Sequence, residues 1–176
     1  MRSAFNAAVL SLVIERPSYG YELFQRFEER FSGLLASRLQ HVYRALDRLR
    51  LQGLIEPYEL EAEDGSVRDG VRATAKGARA FRAWQRDPIR TTNDAPLQVM
   101  IRFAATRPDD VATALYLLDC YERVVLALAR GGRAGGGTLV EQALDEQRRV
   151  YLDSKLRWVA WVRDQLRKQV VQSDPR

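Results

Sequence analysis

Ser37, Arg38, His41, Arg44 and Arg48 recur at three- and four-residue spacing, so a helix would carry them on one face. Arginine forks onto paired acceptors, and the major groove of duplex DNA both admits a helix and displays such acceptors on its base edges. Gln40 lies beside this face with an amide that donates and accepts. The other side of the run is apolar, through Leu39, Val42, Tyr43, Leu46 and Leu49, with Tyr43 expected in the core and its hydroxyl at the rim. The chemistry on offer is recognition of an anionic, acceptor-rich partner.

Other chemistries lack their residues. The chain has one histidine and one cysteine, too few for the usual His/Cys metal clusters. The run 131-GGRAGGGT-138 resembles a phosphate loop but lacks its lysine and follows a helical pattern instead of a strand. No G-x-S-x-G elbow occurs. The sequence therefore reads as a non-enzyme that needs no cofactor and no metal.

The elements that must position the basic face follow from periodicity. Residues 4–15 predict a helix with Phe5, Val9, Leu12 and Val13 on one side. After the Pro17 break, Ser18 is the expected cap of a helix over 19–31 with the stripe Leu23, Phe24, Phe27 and Phe31, ended by Gly33. Ser37 and Gln40 have capping-box spacing and open the helix 37–50, which Gly53 lets turn. Strand-like pieces over 55–60 and 67–73 flank Asp64-Gly65 and Asp69-Gly70, a hairpin signal. Thr74 caps a helix over 75–86 that buries Ala78, Phe81 and Trp84.

Three helices, a hairpin and a helix is the order of a winged helix-turn-helix, whose third helix enters the groove while the wing follows the backbone. The fold class expected is mainly α, with this winged unit over 1–86, a linker over 87–97 and an all-α antiparallel helical domain over 98–176. On the wing, Arg68 and Arg72 would meet phosphates, adding salt-dependent affinity without sequence reading. Each cation also has a plainer reading as a solvated side chain, Arg50 above all.

The stretches 18-SYGYELFQRF-27, 42-VYRALDRLRLQGLIEP-57 and 72-RATAKGARAF-81, in that order, resemble the PadR family of bacterial transcriptional regulators. The likeness covers residues 1–86, and the helical remainder is similar in kind to the longer members. It implies a DNA-binding regulator, commonly dimeric, with helix 37–50 as the reader and Tyr19 and Tyr43 as backbone contacts. It also implies an aromatic small-molecule effector in some members. The chain departs from the family pattern at Leu39-Gln40-His41 and at Val71 and Ala73, so no operator is implied.

The second half predicts a short helix over 97–105, a longer one from Pro108-Asp109-Asp110 and a final one over about 138–171. The long helix would align Val111, Leu115, Leu118, Val125 and Leu128. The last would align Val140, Leu144, Tyr151, Trp158, Val162 and Leu166. Leu115, Leu118, Val125, Tyr151, Trp158, Trp161 and Val162 are the expected homodimer contacts, because these stripes exceed what a two-helix hairpin covers. Trp84, Tyr121 and Trp158 are the expected effector-site aromatics, against the plainer reading of ordinary core.

Composition fits. Lys+Arg number 28 against 23 Asp+Glu, for a net charge of +5, and residues 36–50 hold four arginines against Asp47 alone. One cysteine excludes an internal disulfide and fits a cytoplasmic home, with Cys120 read as a buried inert thiol. No apolar run is long enough to predict a membrane span. The expected function is a dimeric, sequence-specific regulator of double-stranded DNA, in the sense of a repressor. The rival reading is a winged-helix interaction module whose basic face docks an acidic protein.

Overall fold

The computed structural model describes residues 3–61, 67–89, 92, 94–130 and 137–173, with the backbone alone for Glu61, Arg68 and 170–173. The elements run α1 (Ala4–Glu15), α2 (Gly20–Phe31), α3 (Leu39–Leu51), β1 (Ile55–Glu61), β2 (Val67–Ala73), α4 (Ala75–Arg86), α5 (Ala95–Ala104), α6 (Val111–Arg130) and α7 (Leu139–Ser173). They form two compact units, Met1–Pro88 with Ala104–Arg107 and Ile89–Phe103 with Pro108–Arg176. The proposed hairpin tip at Asp64-Gly65 and most of the glycine run lie outside the described residues.

In the first unit α1 is the centre. Every residue from Asn6 to Val13 is buried, so the helix has no solvent face and the one-sided stripe expected of it is corrected. The cause is its neighbours: α2, α3, α4 and β2 all pack on it. A helix apolar all round must be enclosed. Ser3 caps it by accepting from the Asn6 amide at 3.3 Å.

The expected cap of α2 is also corrected. Tyr19 holds the N-cap position without a side-chain bond. Ser18 instead pairs with β2, donating its amide to Val71 O at 3.2 Å and accepting from Val71 N at 3.0 Å. β2 therefore lies between β1 and a one-residue third strand. α2 buries Leu23, Phe27 and Phe31, while Phe24 is half-buried and the helix ends at Phe31, before Gly33.

α3 buries Val42, Ala45, Leu46 and Leu49. Its exit follows the expectation: Gly53 has φ 66°, a left-handed conformation that costs glycine little. β1 and β2 pair antiparallel with Ile55 opposite Ala73 and Glu56 opposite Arg72. Thr74 caps α4, accepting from Gly77 N at 3.0 Å. α4 runs so close to the α3–β1 turn that a Cβ on Gly77 would stand 2.0 Å from Leu54 O. Phe81, Trp84, Gly77 and Gln85 are buried on α4, with Ala78 only half-buried.

In the second unit α6 and α7 pack antiparallel. Arg163 reaches Asp119 at 2.7 Å and Glu122 at 2.8 Å, while Arg148 donates to Leu128 O at 2.9 Å. Their core joins Val99, Leu117, Leu118, Tyr121, Val125, Val159 and Val162, with Trp158 packed against it. Leu118, Val125 and Val162, expected at a dimer contact, thus face their own chain's core. The buried face of α6 is Ala114, Leu117, Leu118, Tyr121, Val124 and Val125. Val111, Leu115 and Leu128 flank it half-buried. Cys120 is half-buried too, and Arg123 Nη2 donates toward its sulfur at 3.2 Å.

Among the described residues no helix is long and apolar enough to cross a membrane. No group of three His, Cys, Asp or Glu among them stands close enough to hold a metal.

Candidate nucleic-acid interface

The buried stripe of α3 decides what the helix shows outside. With Val42, Ala45, Leu46 and Leu49 turned inward, Arg38, Gln40, His41, Arg44, Asp47, Arg48 and Arg50 are all exposed. Four cations against one carboxylate make this face positive. Among the described residues none of Arg38, Arg44 and Arg48 forms a salt bridge. Helix-surface pairing with Asp47 therefore does not absorb them, and their donors face water. His41 sets its ring edge-on to Phe5, centroids 6.2 Å apart, which limits where the imidazole points.

The start of α3 departs from the expected capping box. The helix begins at Leu39 with Arg38 as an N-cap that makes no side-chain bond. The Ser37 hydroxyl donates to Glu28 Oε1 at 2.7 Å and so ties the turn to α2. α2 and α3 thus both open without a side-chain cap, whereas Ser3 and Thr74 cap α1 and α4. Uncapped first-turn amides point outward with the positive end of the helix dipole.

Tyr43 is corrected from core to surface: it is 47% exposed, as Leu39 is 36%. Its ring covers the backbone of Gly20, where a Cβ would meet ring carbons at 2.6 and 2.7 Å. That contact sets α3 against the start of α2, beside half-buried Tyr19. Tyr21, which sequence reasoning did not single out, is 52% exposed in the same first turn. The signal for it was available, because a helix that buries Leu23 and Phe27 turns residue 21 outward.

An ion-pair hub joins the end of α1 to α2. Arg26 donates to Ser18 Oγ at 2.8 Å, Leu12 O at 3.1 Å and Glu15 Oε2 at 2.9 Å. Arg30 also pairs with Glu15, and Arg16 pairs with Glu22 at 2.6 Å. Burial lowers the pKa of Arg26 from its ordinary value and Arg16 pushes the same way, while Glu15 holds the charge in place. An open cavity of about 520 Å³ lined by Glu15, Arg16, Arg26, Glu29 and Arg30 adjoins the hub.

The wing is less basic than its sequence promised. Arg72 binds Glu56 at 2.7 Å through Nε and lies 5.1 Å from the Tyr58 ring centroid. Glu59 stands opposite Asp69 in the register. Arg68 pairs with Leu60 along the backbone, and its side chain lies outside the described residues.

The aromatics expected at an effector site divide between the units. In the first, Trp84 packs on Phe81 with centroids 5.8 Å apart. In the second, Trp158 packs edge-on against Tyr121 at 5.5 Å and Phe103 at 5.9 Å. Burial pushes the Tyr121 phenol up to about 12, with a smaller push from Tyr151. This is the geometry of a filled core. On α7, by contrast, Tyr151 is 49% and Trp161 61% exposed.

Residues 9–83 match the family model of the PadR-like transcriptional regulators. An uncharacterised protein of Lysinibacillus sphaericus is 29% identical over 77 residues, covering 44% of this chain and 71% of that protein. A transcriptional regulator from Clostridium thermocellum is similar in structure at 29% identity, covering 44% of this chain and 73% of that one, with a TM-score of 0.38. Bacillus subtilis PadR in complex with operator DNA is similar over 96% of this chain and 99% of that one, at 13% identity and a TM-score of 0.45.

Proposed function

We propose that the chain is a transcriptional regulator of the PadR-like kind that its residues 9–83 match, a repressor that binds duplex DNA as a homodimer. α3 reads the major groove through Arg38, His41 and Arg44, with Gln40 and Arg48 adding contacts. Tyr19, Tyr43 and the uncapped start of α2 meet the phosphate backbone, joined by Arg72 and Arg68 from the wing. The observation that carries this reading is the exposed α3 face, whose cations find no carboxylate among the described residues. Cations already held outward on the helix have no internal ion pair to break when an anionic groove arrives.

Two copies are needed because one short helix reads too few bases to hold an operator. Dimers place two such helices about 34 Å apart, on one face of the duplex. α7 supports the dimer. From Leu139 to Tyr151 every residue is exposed, including Leu139 at 80%, Val140 at 68% and Leu144 at 62%. Exposed apolar stripes mark contact surfaces. Release by a small aromatic effector belongs to the same reading and requires the packed cluster of Phe103, Tyr121 and Trp158 to open for the ligand.

The test is a titration of the chain with the DNA upstream of its own gene, against unrelated duplex, at two salt concentrations. The reading expects tight binding that competitor does not displace. The interaction-module reading expects weak binding that vanishes equally on both duplexes as salt rises.

A further inference from the structure

The wing carries a pairing that the DNA-binding role of Arg72 leaves unexplained. Glu56 and Arg72 face each other across the hairpin, and Nε donates to the Glu56 carboxylate at 2.7 Å. The guanidinium also lies over Tyr58, 5.1 Å from the ring centroid. Both partners are about half exposed, at 51% for the Arg72 side chain and 45% for that of Glu56. The side chain is therefore held in one place, next to a carboxylate that a phosphate must approach.

We infer that Glu56 is an intramolecular counter-ion that competes with a polyanionic backbone for Arg72 and so weakens sequence-independent binding. This rests on the reading above, in which that backbone is duplex DNA. A half-exposed ion pair is weak, so it can be exchanged for a phosphate. It still opposes the exchange, because the carboxylate stays beside the site and repels the incoming charge. The hydrogen bond and the charge are separable. Glutamine at 56 keeps an oxygen that accepts from Arg72 Nε and removes the charge, and with it both the hold on Arg72 and the repulsion of phosphate.

Glu59 supplies the control. It sits on the same strand, opposite Asp69, and among the described residues makes no salt bridge with an arginine. Glu59→Gln changes the net charge by the same amount without touching Arg72. The experiment measures salt-dependent elution of the full chain from heparin, and its affinity for unrelated duplex and for its own upstream DNA. The variants are Glu56→Gln, Glu59→Gln, Arg72→Gln and the two doubles with Arg72→Gln.

Glu56→Gln is expected to strengthen binding to both duplexes about two- to fivefold. It should also steepen the salt slope by up to about 0.9, the share of one phosphate contact. In the Arg72→Gln background the gain of Glu56→Gln shrinks to that of Glu59→Gln, because only the competition for Arg72 is lost. Equal gains from the two glutamate variants, both persisting without Arg72, would reduce the effect to net charge and overturn the inference. So would weaker binding by Glu56→Gln, which would make the pair a structural brace of the hairpin. If the wild-type chain ignores duplex DNA but the heparin cycle holds, the counter-ion stands and the DNA reading fails. Duplex binding with a flat cycle is the converse.

Discussion

Ser18 exchanges both backbone hydrogen bonds with Val71, at 3.2 and 3.0 Å, and its hydroxyl accepts from Arg26 at 2.8 Å. A residue that looks like a helix cap thereby becomes the link between the wing and the ion-pair hub under α2. Arg26→Met removes the donor and leaves Glu15, 16% exposed at its side chain, with Arg30 alone. Breaking a partly buried pair should cost about 2 kcal/mol of unfolding free energy. Urea denaturation measures it, and a loss below about 0.5 kcal/mol would mean that the hub contributes no more than an ordinary surface pair.

Gly77 gives a prediction of opposite sign to the general rule. In an open helix Gly→Ala stabilises by about 1 kcal/mol. Here the new methyl would stand 2.0 Å from the Leu54 carbonyl oxygen, a backbone atom that has little room to yield. Gly77→Ala should lower the melting temperature, and an increase would show that α4 can shift away from the α3–β1 turn.

Burial disfavours the phenolate of Tyr121 and pushes its pKa up to about 12 in the folded chain. The ordinary tyrosine value is about 10, so the folded state binds the proton more tightly than the unfolded state. Its stabilising contribution is complete below pH 10 and is lost as pH rises through about 12. Stability should fall across that window by up to about 1.4 kcal/mol per pH unit from this group. Tyr121→Phe should flatten that part of the curve, as the difference between two denaturation series.

Trp158 and Trp161 stand three residues apart and should separate stability from assembly. Trp158 packs on Tyr121 and Phe103, whereas Trp161 is 61% exposed. Trp158→Ala should cost about 3 kcal/mol. Trp161→Ala should leave the fold intact and shift the sedimentation of the chain toward the monomer. A wild-type chain that sediments as a monomer at all concentrations would contradict the dimer.

Much of this architecture is legible in the sequence, for physical reasons that differ by element. α4 shows itself through Thr74 and its apolar period, and α3 through a stripe ended by Gly53, because caps and periods are local signals. Ser18 and Ser37 mislead for the complementary reason. Each has cap-like spacing, but its hydroxyl is claimed by a residue far along the chain, Arg26 in one case and Glu28 in the other. Tyr43 looks like core because it falls in the apolar stripe, yet its ring lies over the backbone of Gly20 with its outer side in solvent. The one-sided reading of α1 fails because enclosure on all sides is a tertiary fact. Arg72 lies on the hairpin strand its sequence position predicts, but its partner Glu56 becomes visible only with the strand register.

The central claim is that the exposed face of α3 reads bases, and Arg44→Ala tests it most directly. The measurement is the affinity of wild-type and variant chains for the upstream DNA of the gene and for unrelated duplex, each at two salt concentrations. Loss of about 1–3 kcal/mol on the upstream DNA, with little change on unrelated duplex, is the predicted result. An equal, modest loss on both, tracking salt alone, would contradict it and make α3 an electrostatic surface only.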